Sequence, residues 1–213
     1  MNQKKKRVLM TVFGVLLSGV GAGLFDFTSF GMDPFQVLAH GTWYVCDAHV
    51  LHMGFGTFYV VINALLLIFS LILDRKKIGL GTLINLFFQG YVVQFSSWAA
   101  FQLFPEPSMP VRIVALLLGV FIICLASSFY FTGDMGVSTY DAVALIISQR
   151  TKWKFRLVRI ATDLVCVAIG FACGAIVGVG TLVTAFFMGP FIDFFNRKVA
   201  EPFLYGPEGK PAQ

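Results

Sequence analysis

The chain has 213 residues, of which 57% are hydrophobic and only 13% are charged, and its mean hydropathy is +0.80. Soluble domains carry about 25% charged residues, so this inventory cannot cover a water-exposed surface. The composition excludes a soluble enzyme, a nucleic-acid reader and a disordered tail, and it predicts an all-α integral membrane protein. The formal net charge of +5 then has to be explained by topology.

Six apolar segments follow one another, each near the roughly 20 residues that a spanning helix needs. The first continues directly from the basic residues Lys4 to Arg7, and no small-residue cleavage site followed by polar sequence comes after it. We therefore expect an uncleaved first span. Gly174, Gly178 and Gly180 separate the fifth segment from the sixth. The six predicted spans are 8–27, 55–73, 79–103, 111–132, 157–173 and 177–195.

The distribution of basic residues predicts the orientation. All but one of the 16 Lys and Arg residues fall on one predicted side, and Arg112 alone falls on the other. By the positive-inside rule, both termini are cytoplasmic and the 31–53 loop is external. The basic charge then suits a lipid bilayer with anionic headgroups, and we expect no nucleic-acid partner.

Two short helices begin with capping sequences. Asp33 precedes Pro34 and stands three residues before Gln36, and Ser138 stands three residues before Asp141. These patterns predict helix starts, with short helices over 34–45 and 139–149 that cannot cross a bilayer. They either lie in the interface or dip inward as half-helices. A half-helix start could face an anionic group, although capping alone needs no ligand.

An internal duplication is the most informative feature. Residues 78–90 (IGLGTLINLFFQG) and 177–189 (VGVGTLVTAFFMG) agree at seven positions, and FGVLLSG at 13–19 pairs with LGVFIIC at 118–124. Residues 31–38 correspond in turn to 136–143. Each half holds three spans and one short extra helix, and an odd number of crossings inverts the second half. We predict a membrane repeat over 7–104, an external linker over 105–110, an inverted repeat over 111–198, and cytoplasmic ends over 1–6 and 199–213.

Inverted repeats recur in secondary transporters, whose solute sites lie at the repeat interface near the bilayer midplane. We therefore expect a transporter or exporter of a small solute that the sequence does not identify. The alternative is a non-transporting solute-binding, scaffold or regulatory subunit that acts with a partner, because fold alone does not determine function. The glycines at 79, 81, 178 and 180 lack the Lys-Ser/Thr of a phosphate loop. No catalytic arrangement is apparent, so we expect neither enzyme activity nor a cofactor. A homodimer or a partner membrane subunit stays open.

Polar residues in apolar segments mark the candidate solute site, because an ionisable group at the bilayer centre is costly. Asp163 lies in the fifth span, and Asn63 holds the nearly corresponding place in the second. We predict a polar cavity at the repeat interface with these two residues on its wall. In a competing interpretation, Arg159 pairs with Asp163 one helical turn away in a dry contact. The candidate solute-binding residues are Asn63, Asp163, Asp33, Asp141, Thr82 and Thr181.

The three histidines, His40, His49 and His52, fall in the external loop, where Cys46, His49 and His52 stand three residues apart. Thiolate and imidazole suit zinc or copper, but the spacing matches no known zinc pattern. We therefore expect no metal site, and these three residues are the candidates if one exists. Asp26, near the end of the first span, is interpreted as a boundary residue that reaches water.

Three glycine motifs carry a family resemblance: Gly31-x-x-Pro34, Gly79-x-Gly81-Thr82-Leu83, and Gly178-x-Gly180-Thr181-Leu182 running on to Gly189-Pro190. With them, nearly the whole chain resembles the YczE/YyaS-type family of bacterial integral membrane proteins, relatives of the YitT group. The resemblance implies a multi-pass protein of the bacterial inner membrane. It implies no agreed substrate and no catalytic residues.

Overall fold

The computed structural model describes residues 3–49, 52–74, 78–151, 153–186 and 188–206. Within these ranges every regular element is a helix. In chain order the helices are α1 (Gln3–Thr28), α2 (Pro34–His49), α3 (Phe55–Leu73), α4 (Leu80–Leu103), α5 (Met109–Gly133), α6 (Thr139–Thr151), α7 (Phe155–Ala172), α8 (Val179–Phe186), α9 (Met188–Phe195) and α10 (Glu201–Tyr205), with a π-helical turn at Asn196–Ala200 between the last two.

Several of these helices can span a membrane. Among the described residues, α1, α3 and α5 are each long and apolar enough to cross, and α8 with the helical segment after it forms a fourth candidate. Helix α7 has only 18 residues and carries Arg156, Arg159 and Asp163, and α4 is interrupted by polar side chains. The membrane protein predicted from composition is confirmed as all-helical within the described residues, and the length and composition of these helices identify three or four candidate spans. The six-span topology stays a prediction.

The sixth predicted span is not one straight helix. The segments Val179–Ala185 and Met188–Tyr205 are bent by 54° relative to each other. Pro190 lies near the start of the second segment, and a proline favours such a bend because it has no N–H to donate to the carbonyl four residues earlier. Beyond the predicted end at residue 195 the chain stays helical, and Leu204 is buried against Met10 of α1.

Helices α1 and α5 form the centre of the molecule and share its most extensive helix contact. Small residues allow this close approach: a Cβ at Gly14 of α1 would lie 2.8 Å from the carbonyl oxygen of Ala126 in α5. Helix α4 packs on α1, α2 packs on α7, and α3 contacts both α4 and α6. Many large apolar side chains point outward, including Leu65, Leu117 and Leu164, which suits contact with lipid.

Two junctions in the chain have matching geometry. Gly31 after α1 and Gly136 after α5 have φ angles of 93° and 105°. Residues other than glycine rarely adopt such positive φ angles. The carbonyl preceding Gly31 accepts a hydrogen bond of 2.8 Å from the N–H of Gly180 at the start of α8. The carbonyl preceding Gly136 accepts one of 2.7 Å from the N–H of Gly81 at the start of α4. Each half of the chain thus contacts a helix start in the other half.

Candidate functional site

The starts of α2 and α6 are capped as the sequence predicts. The Asp33 carboxylate accepts a hydrogen bond of 3.1 Å from the N–H of Phe35, and the Ser138 hydroxyl accepts one of 3.1 Å from the N–H of Asp141. The Ser138 hydroxyl also donates to the Asp141 carboxylate at 2.7 Å. These caps satisfy the first N–H groups of both helices and direct the helix starts toward α7.

The guanidinium group of Arg159 connects two of the acidic residues. Arg159 of α7 forms an ion pair with Asp141, and its Nε lies 3.2 Å from an oxygen of Asp163 one turn later. Asp33 contacts neither residue in the described structure, but the positive charge of Arg159 lowers its pKa and the negative charge of Asp163 raises it. We call Asp33, Asp141 and Asp163 around Arg159 the acid cluster. The predicted contact of Arg159 with Asp163 is present, and Asp141, 18 residues before Arg159, shares the guanidinium, a contact that local spacing does not indicate.

Asp33 lies in the loop between α1 and α2, outside the spanning helices. Burial raises the pKa of Asp33 to about 6, while the positive charge of Arg159 acts in the opposite direction. An ordinary aspartate ionises near pH 3.9. Asp33 is therefore an acid whose charge changes just below neutral pH.

Aromatic rings border the acid cluster. The Tyr140 hydroxyl donates a hydrogen bond of 2.6 Å to Asp163, and the guanidinium carbon of Arg159 lies 4.5 Å from the centre of the Tyr140 ring. Phe35 stacks on Tyr140 with ring centres 5.0 Å apart and meets Tyr59 edge-on at 5.7 Å. Ring faces attract cations, so the cluster combines carboxylates with a surface that suits a positive group.

Asn63 is buried beside the cluster and is already bonded. Its amide oxygen accepts a hydrogen bond from the hydroxyl of Thr139 at the start of α6, and its amide nitrogen donates to the carbonyl of Tyr59 at 2.9 Å. Only 1% of Asn63 is exposed. The hydrogen bond from Thr139 to Asn63 connects α6 to α3.

Thr82 and Thr181 sit at the two junctions. The Thr82 hydroxyl accepts a hydrogen bond from the N–H of Gly79 at 3.2 Å and donates one to the carbonyl of Val137 at 2.6 Å. The Thr181 hydroxyl accepts a bond of 3.5 Å from the N–H of Gly178. Both threonines therefore cap the helix starts that contact the opposite half. Their role in solute binding stays a prediction.

A cavity of about 320 Å³ borders the cluster between α2, α3, α6 and α7. Its lining is largely apolar and includes Phe35, Tyr140, Thr162 and Cys166. Neither Asn63 nor Asp163 is among its lining residues, so it is not the polar cavity expected from the sequence. Asn63 is instead bonded to Thr139, and Asp163 to Arg159 and Tyr140.

The metal candidates are only partly described. The side chain of His49 lies outside the described part of the structure. His52 is 90% exposed, with its Nδ1 3.8 Å from Asp47. Among the described residues, no three Cys, His, Asp or Glu side chains are placed to hold a metal ion. Both the expected absence of a metal site and the candidacy of Cys46, His49 and His52 stay predictions.

One histidine differs from its expected place. His40 is buried, at 3% exposure, and its Nδ1 lies 4.0 Å from Asp26 of α1. His40 and the exposed His52 thus have different surroundings, because α2 turns His40 inward toward α1. The side of the membrane on which the histidines lie, and the interpretation of Asp26 as a boundary residue, stay predictions.

Sequence reasoning missed Tyr140 and Phe35, although a signal was present. The duplication aligns residues 31–38 with 136–143, which makes Phe35 and Tyr140 equivalent positions. An aromatic residue at the same repeat position beside each capped helix start is the signal that points to Phe35 and Tyr140.

The fold and the apolar helices define a helical integral membrane protein with an ionisable cluster between its helices. The chain belongs to the family described as a family of unknown function (DUF6198), whose model matches residues 5–197. The resemblance to the YczE/YyaS type is thereby confirmed.

Similar proteins cover most of the chain. An uncharacterized protein of Haemophilus influenzae is 25% identical over 92% of this chain and 85% of its own length. The uncharacterized membrane protein YczE of Bacillus subtilis is 24% identical over 88% of this chain and 80% of its own. The uncharacterized protein YyaS of the same organism is 24% identical over 90% of this chain and 92% of its own. No solved structure matches the chain.

Proposed function

We propose that this protein transports small organic cations across the bacterial inner membrane, with the acid cluster as its solute site. The observation that carries the proposal is that two carboxylates, those of Asp141 and Asp163, pair with the single guanidinium of Arg159. A third carboxylate, that of the buried Asp33, lies close enough for the charge of Arg159 to lower its pKa. Carboxylates in a membrane-embedded chain need compensating positive charge. A proton or a second cation supplies what Arg159 alone does not.

The surroundings of the cluster favour an organic cation. The guanidinium of Arg159 already lies over the Tyr140 ring, and a substrate ammonium or guanidinium group has the same chemistry. The adjoining apolar cavity of about 320 Å³ is at the lower end of the usual size for ligand pockets, roughly 300–1,000 Å³. It suits the apolar part of a small amine.

The transport mechanism in this proposal is the rocking of two inverted repeats. Two observations support such a repeat. The junctions at Gly31 and Gly136 make equivalent contacts with the opposite half, and the equivalent residues Phe35 and Tyr140 stack on each other, as residues near a two-fold axis do. The acid cluster then lies between the halves, with Asp33 from the first repeat and Asp141, Asp163 and Arg159 from the second. Six crossings with both termini in the cytoplasm belong to the same proposal, as does the absence of an enzymatic step.

Flux through purified protein in proteoliposomes tests the proposal. The probes are tetramethylammonium, whose charge does not depend on pH, and guanidinium. We expect saturable uptake that Asp163→Asn lowers about tenfold, because one charge-assisted contact contributes roughly 1.5–3 kcal/mol. Asp193→Asn is the matched control, since Asp193 lies on α9 outside the acid cluster.

The outcomes separate the candidate functions. Uptake by the purified protein that depends on Asp163 supports the transporter. Binding of either probe without flux favours the alternative, a solute-binding subunit that acts with a partner. Absence of both binding and flux contradicts the assignment of the acid cluster as a cation site.

A further inference from the structure

A second ionisable group, His40, lies about two turns along the chain from Asp33 of the acid cluster. The His40 ring stacks on Phe55 with centres 3.9 Å apart, and neither of its ring nitrogens has a hydrogen-bond partner in the described structure. Its Nδ1 faces an oxygen of Asp26 at 4.0 Å. The other oxygen of Asp26 accepts a hydrogen bond of 2.5 Å from the Ser97 hydroxyl of α4.

His40 and Asp26 lie close together but lack the hydrogen bond that a proton on the His40 nitrogen would allow. Hydrogen bonds between a nitrogen donor and an oxygen acceptor measure about 2.7–3.2 Å, so the 4.0 Å gap between His40 and Asp26 is too long for one. Buried polar atoms are normally paired. Protonation would make both ring nitrogens donors and draw the imidazolium toward the carboxylate.

The charges that face His40 are few. Asp26 comes from α1, and Tyr44 lies on the same helix as His40 with ring centres 6.2 Å apart. Helix α3 presents Phe55, and α7 meets α2 at Gly170, and neither residue is ionisable. Burial lowers the pKa of His40, and the carboxylate of Asp26 opposes that effect. Asp26 is therefore the group that controls whether His40 holds a proton.

Helix α2 connects this pair with the acid cluster. Asp33, Gln36 and His40 are spaced by three and four residues, which puts them along one face of the helix. Gln36 is 3% exposed, and its amide oxygen has no hydrogen-bond partner in the described structure. From Phe35, beside the acid cluster, to His40 the rise is about 7.5 Å.

We propose that His40 and Asp26 form a proton-binding site, and that its occupancy is coupled through the Gln36 face of α2 to organic-cation binding at the acid cluster. The coupling rests on the proposed function, whereas the proton site does not. A cation at the cluster disfavours a second positive charge nearby in a low-dielectric interior. Proton release then accompanies cation binding, which is the behaviour of a proton–cation exchanger.

The test follows the His40 imidazole directly by nuclear magnetic resonance in the purified full chain, labelled with ¹⁵N-histidine. His49→Gln and His52→Gln remove the other two histidines. We expect a titration of His40 whose midpoint falls by about one pH unit or more in Asp26→Asn, because an opposite charge within roughly 4–6 Å favours the charged form. Asp47→Asn is the control, since the partner of Asp47 is the exposed His52, and it should leave the midpoint unchanged.

Coupling is measured in the same samples. Saturating tetramethylammonium should lower the His40 midpoint, and protonation should weaken tetramethylammonium binding by the same factor. Gln36→Leu should reduce this shift without abolishing the titration.

Each result decides one part. A His40 signal that does not respond between pH 4.5 and 9, or a midpoint identical in Asp26→Asn, overturns the proton site. A protein that binds tetramethylammonium without any shift of the midpoint overturns the coupling. A protein that binds no tetramethylammonium contradicts the proposed function, while the effect of Asp26→Asn still supports the proton site.

Discussion

Arg159 lies over the ring of Tyr140, with its guanidinium carbon 4.5 Å from the ring centre, and Tyr140 in turn donates a hydrogen bond to Asp163, an acid that Arg159 pairs with. The cation, the ring and the carboxylate thus form a closed set of contacts. Because Asp141 pairs with the same guanidinium, loss of one acid leaves Arg159 with a partner. Loss of Arg159 leaves Asp141 and Asp163 without a cationic partner among the described residues, with only the hydroxyls of Ser138 and Tyr140 bonded to them.

This asymmetry predicts unequal stability effects. Arg159→Gln should lower the free energy of unfolding by roughly 2–3 kcal/mol, less than the cost of a fully buried unpaired charge, because Asp141 and Asp163 are partly exposed. Asp163→Asn should cost only about 1 kcal/mol. Thermal unfolding in one detergent measures both, with Arg150→Gln as the control because Arg150 is exposed and bonds only a carbonyl among its described contacts. Equal losses for the two cluster variants would contradict the shared-guanidinium arrangement.

The Tyr140 hydroxyl is predicted to act together with Asp163. Tyr140→Phe keeps the ring under Arg159 but removes the donor to the carboxylate, and we expect a loss of about 1 kcal/mol, no larger than that of Asp163→Asn. In a double-mutant cycle with Asp163→Asn, the two effects should be less than additive, since they remove the same contact. Additive losses would indicate that the hydroxyl acts elsewhere.

The two junctions should respond alike to added side chains. A Cβ at Gly31 would lie 2.5 Å from the backbone nitrogen of Gly178, and one at Gly136 would lie 2.6 Å from that of Gly79. Gly174 also has a positive φ, but nothing lies within 4 Å of its Cβ position. We therefore expect Gly174→Ala to cost only the backbone strain, about 1 kcal/mol, and Gly31→Ala and Gly136→Ala to cost clearly more.

Retention of a monodisperse peak on size-exclusion chromatography and the melting temperature report the loss. Gly31→Ala as stable as Gly174→Ala would show that the junction contact is dispensable.

Cation binding should depend on the ionisation of Asp33. The carboxylate form exists above its pKa, which burial raises to about 6, so acidification through this pH removes a negative charge from the cluster. Tetramethylammonium affinity should therefore decrease as the pH falls from 7 to 5. Asp33→Asn should weaken binding at pH 7 and flatten this part of the profile. Because tetramethylammonium does not titrate, an unchanged profile in Asp33→Asn would assign the pH dependence to another group.

The topology in the proposal is open to labelling. In a background without the four native cysteines, single cysteines introduced by Asp47→Cys and Lys76→Cys should differ in access. An impermeant maleimide added outside intact cells should label position 47 and not position 76, because the external loop contains the first and the basic cytoplasmic loop the second. Labelling at position 76 alone would reverse the orientation.

The sequence by itself determined the class of protein and the positions where helices start. Apolar composition excludes a soluble fold whatever the packing, and the caps at Asp33 and Ser138 are local, since their donors lie within three residues. The effect of Pro190 on the nearby bend is local too, because a proline removes the hydrogen bond to the carbonyl four residues earlier. The glycine motifs can also be recognised in the sequence, but the hydrogen bonds that join Gly180 and Gly81 to the opposite half of the chain cannot.

Tertiary structure alone decided which polar groups meet. Whether Arg159 forms an ion pair with Asp163, with Asp141 or with both depends on how the start of α6 packs against α7. His40 looked equivalent to His52 along the chain, yet packing against α1 and α3 buries it beside Asp26 while His52 stays exposed. Helical periodicity limits the face on which a residue lies, whereas the neighbour on that face is chosen by contacts between residues far apart in sequence, for which one sequence carries no local signal.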